Sequence, residues 1–290
     1  MSGSVDPGLE APRPATGPGF SDAVTFAFGD AAAGVFGIAR AGLAGGTASG
    51  LALLFAGRET AAARAEGGVE VAHPSWEAID AGGVTTTVEA PLERWGVRFD
   101  GGPDGGFALG FEALGAAAPI AGGGMEGYEH LCRVRGTVRV GDRSVEVDCL
   151  GQRGHQWGEP DWDRMAMART IGAWMSPDLA VVMGAFRAAG ATDHARDEVA
   201  AVVLEGAPPR PVGVADPRLS TAYDTEGRQR RAGWELWPAD DEEGFARRGA
   251  GEVLCGTSLD LGRLRLDCAF FRFRMEGREG VGRYDVLRRT

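Results

Sequence analysis

The chain has 290 residues, 44% of them hydrophobic and 24% charged, the proportions of a globular protein with a core to bury. A net charge of −11 argues against nucleic acid as a partner, because neutralising phosphates needs a basic surface. There is no apolar run of the roughly 18 residues that a membrane helix needs, and the opening residues lack the basic and apolar stretches of a secretory leader, so a cytoplasmic protein is expected.

Residues 1–20 carry four prolines and no periodic pattern, which predicts a disordered tail. From Val24 onward, short apolar runs are broken by glycine: VTFAF, GVFGIARAG, SGLALLFAG, GVTTTVEA, WGVRFDGG and GFALGFEAL. Such runs read as strands in hairpins. Between them, Glu59–Glu66 (ETAAARAE) has the composition for a helical turn or two. All 30 basic residues are arginine, and lysine and asparagine are absent. This points to coding in a GC-rich bacterial genome, which by itself raises Ala and Gly.

The clearest element is Arg133–Leu150, RVRGTVRVGDRSVEVDCL. Val134, Gly136, Val138 and Val140 alternate with Arg133, Arg135, Thr137 and Arg139. After Gly141-Asp142, Val145, Val147 and Cys149 alternate with Ser144, Glu146 and Asp148. A two-residue turn fixes the register, so Val138 meets Val145 on a buried face and Arg135 meets Asp148 on a wet one. Carried outward, the same register sets Tyr128 opposite His155 and Glu129 opposite Gly154. One face thereby passes from Val134 and Cys132 to His130, Tyr128, Arg153 and His155, as at the mouth of an apolar cavity. A bulge at Gly151, Gly154 or Gly158 would turn Glu129 inward instead.

Beyond residue 150 the texture repeats in MAMARTIGAWM, LAVVMGAFRAAG, VAAVVLEGAP, RAGWELWPA and LGRLRLDCAFFRFRMEG. The last shifts phase between Phe270 and Phe271, as a β-bulge produces. The expectation is an all-β chain of two barrel-like domains packed together, over 21–150 and 151–290. Cys132, Cys149, Cys255 and Cys268 have no metal-type spacing and read as buried thiols. His73 and His194 read as surface residues. Most tryptophans read as packing, but Trp157 and Trp162 share a polar, glycine-rich segment with His155. Glu159, Asp161 and Asp163 are acidic loop residues, solvated or available as acids. His130, His155 and Asp161 lack diagnostic metal spacing, so no metal is expected.

The stretch Tyr128-Glu129-His130, the Arg133–Thr137 strand with its hairpin, then Gly151, His155-Gln156-Trp157-Gly158 and Asp161-Trp162, resembles the carotenoid 1,2-hydratase and AttH-like lipocalin-type superfamily. Gly280–Asp285 is similar to its closing Gly-x-Gly element. The resemblance implies two lipocalin-like β-barrel domains that bind a hydrophobic terpenoid, carotenoid or polyketide-like molecule without a cofactor. It also implies acid/base isomerisation, hydration or cyclisation, the alternative being a non-catalytic lipid or pigment carrier. On that resemblance, His155, Glu129 and Asp161 are the catalytic candidates, and Tyr128, His130, Trp157 and Trp162 the ligand-binding ones. The chain departs from the pattern at Gly154, where the family has Asp, and at His130, where it has Gln.

Overall fold

The computed structural model describes residues 5–191, 197–239 and 244–290. Two antiparallel sheets account for nearly all of its regular structure. The first contains β1 (Ser21–Asp30), β2 (Val35–Ala44), β3 (Thr47–Ala56), β4 (Glu59–Glu70), β5 (Val84–Ala90), β6 (Arg94–Asp100), β7 (Gly105–Ala113), β9 (Met125–Val140) and β10 (Arg143–Gly158), in the order β4-β3-β2-β1-β10-β9-β7-β6-β5. A short β8 (Ala118–Gly122) pairs with β9 off this path. Period-2 patterning fills the interior: Trp95, Val97 and Phe99 of β6 pair with Phe111, Leu109 and Phe107 of β7, all buried. Burying each large side chain contributes about 1.5–3 kcal/mol. The sheet curls until β3 meets the turn before β5, where a Cβ on Gly50 would lie 1.8 Å from the Ala81 carbonyl oxygen.

The second sheet repeats the circuit. It contains β11 (Met165–Ser176), β12 (Leu179–Ala188), β13 (Glu198–Glu205), β14 (Arg210–Gly213), β15 (Arg218–Tyr223), β16 (Gln229–Leu236), β17 (Arg247–Asp260), β18 (Leu264–Met275) and β19 (Arg278–Arg289), in the order β14-β13-β12-β11-β19-β18-β17-β16-β15. Ile171, Met183, Val203, Trp234, Phe271, Phe273 and Val286 fill its core. The all-β expectation therefore holds, as two curled antiparallel sheets. By internal contacts, residues 1–117 with 127–159 form one unit and 118–126 with 160–290 the other. Residue 150, the expected junction, lies inside β10.

The predicted hairpin is present. Gly141 takes φ 56, as the first position of a II′-type turn requires. Val138 is fully buried and Val145 half-buried against the same core. On the exposed face Asp148 accepts two bonds from Arg133 (2.6 and 2.7 Å) and one from Arg135 (3.3 Å).

Three local expectations are corrected. Glu59–Glu66 is strand, the start of β4, because pairing along β3 outweighs the helix propensity of its alanines. The bulge lies in β17, not β18: Val253 and Cys255 pair with the consecutive Phe271 and Phe270. The apolar phase shift in β18 arises because residues 267–271 are buried on both faces. Within the expected tail, Pro7–Glu10 forms a 3-10 turn capped by Asp6, and Glu10 is buried. His194 lies outside the described residues, and His73 is exposed.

Candidate functional site

Strands β9 and β10 extend well beyond their hairpin, and their far ends carry polar groups into the first sheet's interior. Tyr128 and His130 continue the inward row of Val134 and Cys132, while Arg153, His155 and Trp157 form the row on β10. Exposure is 1% for Tyr128, 2% for His130 and zero for Arg153 and His155. Buried polar groups need partners. His155 Nε2 lies 2.6 Å from Asp22 Oδ1, so an Nε2–H donates to the carboxylate, and in that neutral tautomer Nδ1 is an acceptor. That Nδ1 is 3.4 Å from the Tyr128 hydroxyl, which accepts a bond from Arg153 Nη1 at 3.1 Å. Arg153 in turn donates to Glu10. An unbroken row thus runs Glu10–Arg153–Tyr128–His155–Asp22.

Aromatic rings enclose this row. His155 meets Trp76 edge-on at 5.2 Å and Trp157 at 4.9 Å between centroids, and Tyr128 at 5.6 Å. The Arg153 guanidinium lies over Trp95 (4.7 Å) and Tyr128 (5.4 Å). In this dry setting, burial pushes the Tyr128 hydroxyl up to about 12, against the pull of the Arg153 charge. Burial, helped by Arg153, drives the His130 imidazole down to about 3, so it stays neutral across the physiological range. Burial also raises the Cys132 thiol, which stays protonated.

The segment before β1 closes over these groups. Leu9 O lies 3.5 Å from the Tyr128 hydroxyl as an alternative acceptor for its one proton, Glu10 O accepts from Trp76 Nε1 at 2.7 Å, and Arg13 N donates to Asp22 Oδ2 at 2.6 Å. Arg13 also lies 5.6 Å over the Trp157 ring.

Residues 6–290 match the family model described as "Domain of unknown function (DUF7064)". The chain belongs to this family. No curated protein sequence matches it. Among solved structures, the DUF7064 chain is similar to kievitone hydratase from Nectria haematococca, with a TM-score of 0.67, 13% identity, and coverage of 98% of this chain and 93% of that one. It is also similar to CghA with Sch210972, with a TM-score of 0.65, 12% identity, and coverage of 94% and 89%. A putative AttH from Nitrosomonas europaea gives 0.64, 10% identity, and coverage of 92% and 91%. At such identities the likeness is one of fold, and there the expected AttH-like, lipocalin-type resemblance holds.

This DUF7064 member brings Tyr128, His130, His155 and Trp157 together and places the other candidates elsewhere. Glu129 is buried on the opposite face of the sheet, where Gln156 Nε2 donates to it at 3.2 Å. Its carboxylate fills the space beside Gly154: a Cβ there would lie 2.1 Å from Glu129 Oε2. Asp161 is exposed, and its Oδ1 accepts from the amides of Asp163 and Arg164, both at 3.1 Å, which shapes the turn before β11. Trp162 lines a surface hollow with Leu261, Arg263 and Arg289. Asp22, Glu10 and Trp76 are site residues that the sequence reading missed. For Asp22 the signal was present, since the alternation of Val24, Phe26 and Phe28 carried back one step sets it on the inward face. Among the described residues, no group of three His, Cys, Asp or Glu is arranged to hold a metal.

Proposed function

We propose that this protein binds a small molecule with a largely apolar, isoprenoid- or polyketide-like skeleton and moves a proton on it with its own side chains. The observation that carries the reading is the Asp22–His155–Tyr128 row. Asp22 holds the Nε2–H of His155 and so leaves Nδ1 as the acceptor facing the Tyr128 hydroxyl. Tyr128 is the group in this row that meets the ligand. Arg153 beside it stabilises the phenolate that forms when the proton leaves. The aromatic walls keep the charge in a low dielectric, where such contacts are strong. Glu129 supplies a second carboxylate, beside Gly154, on the other face of the same strand pair.

A fold shared with a protein named as a hydratase, and with one solved with a small-molecule ligand, supports a ligand-binding barrel. Hydration and acid-initiated cyclisation begin with a proton delivered to carbon, and isomerisation pairs that delivery with removal of a proton from another carbon, steps the row can serve. A carrier without turnover is the second reading. Gly154, where the family motif has a carboxylate, favours it.

Mass spectrometry of an organic extract of protein from its native host tests both. The expected result is an apolar compound retained by wild type and lost from His155→Ala. Returned to the protein in D2O, that compound should gain deuterium at carbon only when His155 is present. Retention without exchange would select the carrier. An extract identical for wild type and a folded His155→Ala would remove His155 from the function.

A further inference from the structure

Of the carboxylates in the buried row, Glu10 alone comes from outside the sheet. It enters on the 3-10 turn before β1, and its oxygens face two donors of different kinds, the Arg153 guanidinium and the Leu92 amide at 2.9 Å. A guanidinium and a main-chain N–H together form a carboxylate receptor. Leu92 takes φ 62, a left-handed conformation costly for a non-glycine residue, and in it presents its N–H to Glu10. Arg153 lies over two rings, which fix the plane of its fork.

A second observation points to a ligand. Three buried polar atoms on touching side chains, Arg153 Nε, His130 Nδ1 and Trp95 Nε1, have no hydrogen-bond partner among the described residues. Each costs about 1–3 kcal/mol if it stays unpaired. Glu10 satisfies one edge of Arg153 and leaves these three, so it is an incomplete occupant.

We propose that Glu10 is an intrachain stand-in for the carboxylate of the ligand, and that Arg153 with the Leu92 amide is the subsite for an apolar carboxylic acid. This rests on the small-molecule reading above and names its substrate class. When residues 9–13 withdraw, a ligand carboxylate replaces Glu10 with no change in the number of buried charges, so Arg153 is never left unpaired. The apolar remainder of the ligand takes the space released by the segment, against Trp76 and Trp157. The carbons next to the carboxylate then lie closest to Tyr128, which places proton transfer near the acid end of the substrate.

Fluorescence titration of the full chain with cis-parinaric acid and with its methyl ester tests the proposal. Removing an internal competitor raises apparent affinity by the reciprocal of the fraction of sites it had left open. Glu10→Ala should bind the acid at least about tenfold tighter than wild type while the ester changes by less than about threefold. Adding Arg153→Gln to Glu10→Ala should abolish the gain. Glu10→Gln, which keeps the side chain's size, should show the same preference for acid and replaces Glu10→Ala if circular dichroism shows the latter unfolded. Equal gains for acid and ester, or no gain for either in a chain that binds both, would overturn the carboxylate subsite and leave the small-molecule reading standing. Failure of every folded variant to bind either probe would overturn both.

Discussion

Each sheet buries an arginine against a carboxylate, and the two arrangements differ in how that carboxylate is held. In the first sheet, Arg153 is met by Glu10, from a segment that belongs to no strand. In the second, Arg169 is met by Asp197, which also takes two bonds of 2.8 Å from Arg187 and immediately precedes β13. Thr221 Oγ1 accepts from Arg169 at 3.1 Å, and no histidine stands among the described residues of that sheet. A buried arginine–carboxylate pair is therefore a device for filling a barrel and does not by itself mark a site. What sets the first sheet apart is the pair of imidazoles beside the arginine and a carboxylate that can leave without unravelling a strand.

The hardest way to break the first unit is through its core. Val138→Asp puts a charge with no partner where exposure is 0%, and should cost about 4 kcal/mol or more. Urea unfolding should show loss of the first unit's transition. The next test separates the two arginine pairs directly. Asp197→Ala removes the carboxylate that Arg169 and Arg187 share, both held on paired strands, with an expected cost of about 3–5 kcal/mol. Glu10→Ala frees residues 9–13 and admits water to Arg153, so the cost should be only about 1–2 kcal/mol. Equal losses in denaturant would erase the distinction drawn above.

A pH titration sharpens the contrast further. His130 has a folded-state value near 3, below its unfolded value, so the unfolded chain binds the extra proton as pH falls. Its contribution is complete above pH ~6.5 and is lost progressively below it, by about 2 kcal/mol at pH 5. The urea midpoint of the first unit should drop over that interval, and His130→Gln should flatten the slope. The smallest effect belongs to the surface: Arg135→Ala should cost roughly 0–1 kcal/mol, since Arg133 keeps its two bonds to Asp148. A larger shift in melting temperature would show the exposed face of the hairpin to be more than solvated.

What the sequence disclosed follows the range of the interactions. The Gly141-Asp142 turn is local, and counting outward from it brought Tyr128 opposite His155. The contact of Asp22 with His155 depends on β1 lying beside β10, a pairing between remote strands that no local signal specifies. Glu10 was hidden for a different reason. A proline-rich segment with two acidic residues, Asp6 and Glu10, reads as solvated, and only the folded positions of Arg153 and the Leu92 amide give the Glu10 carboxylate its partners. Glu129 was legible in place as well as in kind, since the same register set it opposite Gly154, where the missing Cβ leaves room for its carboxylate. Asp161 looked like an acid and serves as a turn former, a distinction carried by its bonds to two following amides.

The pairing of the first strand with the last in each circuit governs when each sheet can close as the chain is synthesised. Ser21 meets Gly158 and Val24 meets His155, so β1 emerges from the ribosome long before its partner. Until β10 follows, β1 has only the β2 side of its ladder satisfied and Asp22 waits without its imidazole. Contacts of such separation carry a high loop-closure cost and form late, so the candidate site is among the last features of its barrel to assemble. A nascent chain stalled before residue 151 would hold a curled sheet with an open edge at β1, the kind of surface on which chaperones and aggregation compete.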